Sequence, residues 1–164
     1  MSSRAAQPWI TFDAPPNKRY LVRQYAWFGT WFFLTAVGLF LDPHRSGHGT
    51  HEELGLPPCP CVLLFNRPCP GCGLTTSWTR LLHGNIVGAF QAHPLGPVLY
   101  ALFTASAIYA LVGCLKGRLA VPRSKWIDRG MLAFAAIFLI FGVARFCLMP
   151  NYGTLYEHLA YQLR

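Results

Sequence analysis

Three long apolar runs divide the chain, and polar, proline-punctuated stretches separate them. The first, Tyr25 to Leu41, has no ionisable side chain except tyrosine and is dense in aromatics, with Trp27, Phe28, Trp31, Phe32, Phe33 and Phe40. With a residue or two at each end it meets the ~20 residues a helix needs to cross the hydrocarbon of a bilayer. The second, Leu95 to Leu115, carries no charge. Pro94 and Pro97 stand at its start, where the first turn of a helix leaves backbone N–H groups unpaired in any case. Ala101 with Ala105 and Ser106 with Ala110 recur at helical spacing, which lets another helix approach closely. The third run, Gly130 to Met149, contains one charge, Arg145, close to its far end.

The pattern predicts an all-α membrane protein with about three transmembrane helices, at 25–41, 95–115 and 130–149. Shorter periodic segments fall between and after them. Leu74, Trp78, Leu81 and Leu82 lie on one face at helical spacing, and Ile86, Val87 and Phe90 continue the apolar character beyond Gly84. We read 74–92 as two short helices at the membrane interface. Residues 150–164 set Tyr152, Tyr156 and Tyr161 beside Leu155, Leu159 and Leu163, an amphipathic tail lying on a membrane surface or a partner.

Composition agrees with a bilayer as solvent. The 164 residues are 53% hydrophobic and only 12% charged, too apolar for a soluble domain of this length. The net charge of +8 would suggest nucleic acid in a soluble protein. Here, however, it crowds beside the apolar runs, and no basic helix or base-stacking motif accompanies it, so nucleic acid is not an expected partner. Arg4, Lys18, Arg19 and Arg23 lie in the first 24 residues, and Lys116, Arg118, Arg123, Lys125 and Arg129 lie between the second and third runs. The longer segment 42–94 has only Arg45, Arg67 and Arg80.

Positively charged loops stay in the cytoplasm. Three spans require the two basic segments to share a side, and they do. The expected layout is therefore a cytoplasmic tail at 1–24, an extracytoplasmic loop at 42–94, a basic cytoplasmic loop at 116–129 and an extracytoplasmic tail at 150–164, in the cytoplasmic membrane of a bacterium. The apolar run at 25–41 starts too late and lacks the cleavage site of a signal peptide.

Segment 42–94 carries the candidate chemistry. Cys59, Cys61, Cys69 and Cys72 fall within fourteen positions, interleaved with Pro60, Pro68, Pro70, Gly71 and Gly73. Outside the cytoplasm paired thiols default to disulfides, and four cysteines allow three pairings that spacing cannot separate. Three roles follow. The first is structural, with the four cysteines stapling a loop that has little core of its own, by disulfide or by a closed metal knot. The second is a metal site for zinc or copper, with Cys59, Cys61, Cys69 and Cys72 as thiolate ligands and His44, His48 and His51 as weaker candidates beside Glu52 and Glu53. The third is thiol–disulfide catalysis at Cys69 and Cys72, where a helix starting near Gly73 or Leu74 would favour a Cys72 thiolate. His83, just before Gly84, suits a helix C-terminus on structural grounds. Cys114 and Cys147 lie in apolar runs and read as small apolar residues.

The run Cys69-Pro70-Gly71-Cys72-Gly73-Leu74-Thr75, followed by Leu81-Leu82-His83-Gly84-Asn85 and then His93-Pro94-Leu95-Gly96-Pro97, resembles a family of small bacterial multi-pass membrane proteins of unknown function. That family is marked by a Cys-Pro-x-Cys-Gly-x-Thr-Arg motif, a later glycine, an Asn-Pro or His-Pro pair and about three membrane helices. The resemblance covers Cys59 to about Arg145. It implies structural roles for Gly73, Thr75, Gly84, His93, Pro94 and Arg145, and it implies no activity. Thr76 stands where the family has arginine, and Arg80, one turn later, is the nearest substitute. Phe146 replaces the asparagine that often follows the arginine matched by Arg145. An arginine near the end of an apolar helix needs a partner or must snorkel, and Asp42 or the carbonyls of the Pro-Gly loop are the partners the layout offers.

The leading expectation is a non-enzymatic scaffold or accessory subunit, packed against lipid and other membrane subunits through its helix faces. A thiol–disulfide oxidoreductase and a metal-handling protein are the alternatives. The sequence leans away from an enzyme without excluding one: no second redox pair lies in the spans, and no methionine-rich track suggests a copper carrier.

Overall fold

Residues 10–13, 18–43, 49–57, 59–122 and 125–149 are described by the computed structural model. The architecture is helical. α1 spans Lys18–Phe40, α2 Pro60–Phe65, α3 Leu74–Leu82, α4 Ile86–Ala92, α5 Gly96–Leu115 and α6 Lys125–Leu148, with a 3₁₀ turn at Thr50–Leu54. Two four-residue strands, β1 (Ile10–Asp13) and β2 (Leu119–Pro122), pair antiparallel with Ile10 opposite Pro122 and Asp13 opposite Leu119.

α5 and α6 are long and apolar enough to cross a membrane. Their side chains are mostly exposed: Leu102, Ile108, Leu132, Leu139 and Ile140 all present half or more of their surface. A soluble core helix would bury such residues, each worth about 1.5–3 kcal/mol when removed from water. α1 has 23 residues and a length of about 34 Å at 1.5 Å per residue, but its basic start and its Trp, Thr and Gly content make it less apolar than the other two. It begins at Lys18, ahead of the expected Tyr25, because lysine and arginine are good helix formers and keep their charges in water at the end of such a helix. β1 and β2 likewise lie in segments read from sequence as a tail and a loop. The segment 150–164 lies outside the described residues.

The chain forms two compact units. Met1–Leu34 with Ala101–Phe134 makes the first. In it the indole N–H groups of Trp27 and Trp31 donate to the hydroxyls of Ser106 and Thr104 at 3.1 and 3.0 Å, and Trp27 meets Phe103 edge-on. Ala107 and Ala110 are buried, whereas Ala101 and Ala105 are exposed, so only part of the small-residue spacing marks a packed face. The Gln24 amide donates to the Arg118 carbonyl.

Thr35–Tyr100 with Ala135–Arg164 makes the second unit. Thr35 and Tyr100 share a hydroxyl hydrogen bond of 2.9 Å, and Trp78 donates to the Gly96 carbonyl at 2.9 Å. The face of α3 that packs into this unit is the hydroxyl-bearing one. Thr76, Ser77 and Thr79 are buried, while Leu74, Trp78, Leu81 and Leu82 are half-exposed. The hydroxyls find partners inside: Thr76 with Thr50 at 2.8 Å, and Thr79 with the Thr75 carbonyl at 2.9 Å.

Candidate metal centre

The cysteine loop is built by fixed backbone geometry. Pro60 occupies the first turn of α2, with Cys59 just outside it at a non-helical φ of −57° and ψ of 123°. Asn66 closes α2 in the left-handed region, at φ 52°. Next comes the turn Cys69-Pro70-Gly71-Cys72, closed by a 3.0 Å bond from the Cys72 N–H to the Cys69 carbonyl. Gly73, at φ 82°, then starts α3, a conformation that a residue with a Cβ adopts only under strain.

This folding brings the Sγ atoms of Cys59, Cys69 and Cys72 within 4.8 Å of one another. Zn–S bonds of about 2.3 Å place sulfurs about 3.8 Å apart on the edge of a tetrahedron, so the three thiols are within rotamer-scale movement of a ligand set. They open onto a cavity of about 300 Å³ that is also lined by His51, Glu52, Thr75 and Thr76. All six cysteines are free thiols, so the disulfide staple expected of an oxidising compartment is not formed.

Cys61 stands outside the triad although it is only two residues from Cys59. Residues so spaced at the start of a helix do not face the same side. Of the four cysteines expected to act together, three therefore converge and Cys61 stands beside them. Among the histidines, His51 reaches the cavity from the 3₁₀ turn. His44 and His48 lie outside the described residues, as does the side chain of Glu53. His83 hydrogen-bonds through Nδ1 with the Thr79 carbonyl, as a helix-end residue. Gly84, at φ 78°, follows it.

The electrostatics single out one sulfur. At Cys59, burial opposes ionisation but is outweighed by the Val62 N–H and by hydrogen bonds from the Cys72 and Cys69 thiols, so its thiol lies below the ordinary range. Burial pushes Cys72 well up, and the neighbouring Cys69 and Cys59 sulfurs add to that. Burial also raises Cys61, with the charges of Cys59 and Cys69 contributing. Cys59 is thus the sulfur of the triad whose ionisation its surroundings favour, and Cys72 the one whose ionisation they oppose.

Two side chains pin the turn from behind. His93 is fully buried, and its Nε2–H donates to the Pro70 carbonyl at 3.0 Å. Its ring stacks on Phe138 and meets Phe141 edge-on. Nδ1 of His93 is buried with no hydrogen-bond partner, which agrees with the neutral ring carrying its proton on Nε2. Burial holds this imidazole below its ordinary range; the Pro70 carbonyl opposes that, and the Arg145 charge adds to it. Arg145, also buried, donates from Nη1 to the Cys72 carbonyl at 3.0 Å, so of the partners named from the layout it engages a carbonyl of the Pro-Gly loop. Pro94, beside His93, is exposed.

Further contacts carry no sequence signal strong enough to find them. Arg67 donates to the Phe146 and Cys147 carbonyls at 2.7 and 2.9 Å, satisfying the end of α6, and Phe65 packs edge-on against Phe146. Thr76, at the position where the resembled family has arginine, is buried against Thr50, and Arg80 donates to the Gly88 carbonyl at 3.1 Å.

Residues 59–107 match the profile of a family described as a protein of unknown function, DUF2752, from the triad to the middle of α5. No curated protein and no solved structure matches the chain.

Proposed function

We propose that this chain is a non-enzymatic, multi-pass protein of the bacterial cytoplasmic membrane that holds one thiophilic metal ion, Zn²⁺ or Cu⁺, at Cys59, Cys69 and Cys72. The observation that carries the reading is the approach of three sulfurs to within 4.8 Å at the wall of a cavity. Thiolates select zinc and monovalent copper over hard cations, and neither ion needs a redox change to be held. His51 and Glu52 line the same cavity, so a nitrogen, an oxygen or a water is available for a fourth position.

The proposed topology has α1, α5 and α6 as spans, with the N-terminus cytoplasmic and the cysteine loop extracytoplasmic. Support comes from the apolar length of α5 and α6 and from the basic residues at the start of α1 and between α5 and α6. The exposed aromatics of α1, including Trp27, Phe32 and Phe33, suit lipid or neighbouring membrane subunits, so an accessory role within a larger complex is compatible with metal holding.

Metal content of the full chain purified in mild detergent under reducing conditions tests the reading. About one zinc or copper per chain is expected, lost on Cys69→Ser or Cys59→Ser, since a three-thiolate site with one ligand removed no longer fixes the ion. A metal-free protein that takes up neither ion on titration would overturn it. A second reading, thiol–disulfide exchange, is favoured by the three sulfurs lying within 4.8 Å of one another and by surroundings that lower the Cys59 thiol. It predicts a metal-free chain with one readily reduced disulfide within the triad.

A further inference from the structure

Building on the metal reading, we propose that His51 is the fourth ligand and that the 3₁₀ turn Thr50–Leu54 carries its imidazole onto the ion, completing a Cys₃His site for Zn²⁺. His51 lines the same cavity as Cys59, Cys69 and Cys72. Its place there is set one residue earlier in the chain. The Thr50 hydroxyl meets that of Thr76 at 2.8 Å, both side chains are fully buried, and Thr76 lies in the first turn of the helix that Cys72 and Gly73 lead into. The turn is thereby fastened to the element that follows the triad's most buried sulfur. Gly49 at φ 88° and Gly55 at φ 74° reverse the chain on either side, so a compact five-residue turn stands at the cavity wall.

The other donor on this wall, Glu52, is turned elsewhere. Its carboxylate oxygen lies 3.2 Å from where a Cβ on Gly49 would be, folded back over that glycine. No hydrogen bond or ion pair holds the His51 ring among the described residues, so it is free to swing. The ring stands outside the group of sulfurs that lie within 4.8 Å of one another, and ligation therefore draws it inward. Charge favours the imidazole as well. Zn²⁺ with three thiolates carries one net negative charge, which the buried Arg145 guanidinium, bonded to the Cys72 carbonyl at 3.0 Å, offsets. A neutral imidazole keeps that balance, whereas a carboxylate from Glu52 would add a second negative charge at a cost in desolvation. The thiol protons leave to water as the three metal–sulfur bonds form. His51 binds through the lone pair of a ring nitrogen, and no electron is transferred.

The test labels the histidines of the full chain with ¹⁵N and loads it, in detergent under reducing conditions, with one equivalent of ¹¹³Cd²⁺ as a stand-in for zinc. Scalar splitting of the cadmium resonance by one ring nitrogen is expected, and His51→Ala should remove it. Zinc affinity, measured by competition with a chelator, is the second readout. Loss of an outer-shell partner of a ligand costs about 10–100-fold in metal affinity, so loss of the ligand in His51→Ala should cost about 100-fold or more. Glu52→Gln should stay within about threefold of wild type. A cadmium resonance with no nitrogen splitting, splitting that survives in His51→Ala, or wild-type zinc affinity in that variant would overturn the proposal while leaving a three-sulfur metal site standing. A chain that binds neither Zn²⁺ nor Cd²⁺ would instead remove the metal reading itself.

Discussion

Gly142 offers a sharp test of how α6 fixes the cysteine turn. A methyl group added there would fall on Pro70, 2.8 Å from its Cα and 2.7 Å from its Cγ, so backbone as well as side chain would have to move. Gly130, on the same helix, has nothing within 4 Å of such a methyl and serves as the control. Both Gly→Ala changes gain about 1 kcal/mol of helix propensity. That gain cancels in the comparison and leaves the cost of forcing a methyl into filled space, typically ~1–3 kcal/mol. Gly142→Ala should therefore melt below Gly130→Ala, by roughly 2–4 °C per kcal/mol for a chain of this length. If the turn yields in place of the helix, the same strain appears as weaker metal binding, about tenfold for each 1.4 kcal/mol. Thermal unfolding in detergent and zinc titration of the two variants read both effects. Equal melting and equal affinity would mean that Pro70 does not rest on α6, and the account of how the turn is held would fail.

The other predictions concern the groups around the triad. Arg145→Leu removes the Nη1 donor from the Cys72 carbonyl; a buried bond from a charged group is worth about 1.5–3 kcal/mol, so zinc affinity should fall about tenfold or more while the protein still inserts in membranes. Unchanged affinity would show that the guanidinium does not hold the turn. His93 has a folded-state pKa below its unfolded value, so it contributes stability above about 6.5, and that stability is lost as the pH falls through the lower folded value. The metal-free chain should melt lower as the pH drops from 6.5, and His93→Phe should flatten that slope; an identical slope in both proteins would refute the assignment. Cys72 has the opposite sign. Its raised folded-state pKa gives stability that is fully present below 9.0 and erodes as the pH rises further, so Cys72→Ala should remove this alkaline loss from the melting curve of the metal-free chain. Metal uptake displaces thiol protons, so zinc affinity should rise with pH across the neutral range, and a flat profile would exclude thiolate ligation.

Much of the fold is legible in the chain because twenty consecutive apolar residues leave few alternatives, as α5 and α6 illustrate. The start of α1 is less so: Lys18, Arg19 and Arg23 look like tail residues until a helix is seen to carry them. α2 has six residues, too few for any periodicity to show, and β1 and β2 acquire meaning only through pairing between segments more than a hundred positions apart. The hydroxyl pairing that packs α3, Thr76 with Thr50, follows no periodic pattern and is visible only once the 3₁₀ turn and the helix are brought together. At the site, four cysteines and their prolines announce a ligand cluster, but spacing treats Cys59 and Cys61 alike. What separates them is Pro60, which starts a helix between them and turns one sulfur toward Cys69 and Cys72. The grip of His93 and Arg145 on the turn is hidden for another reason. Carbonyl acceptors leave no mark in a sequence, so only the donor half of each bond can be read.

The central claim, a metal held by three sulfurs of this loop, is tested most directly by X-ray absorption at the zinc edge of the zinc-loaded full chain. The account predicts a first shell of three sulfurs at about 2.3 Å with one lighter atom, nitrogen or oxygen, at about 2.0–2.2 Å. A shell of nitrogen and oxygen alone would contradict it outright, and a shell of four sulfurs would contradict the assignment to Cys59, Cys69 and Cys72.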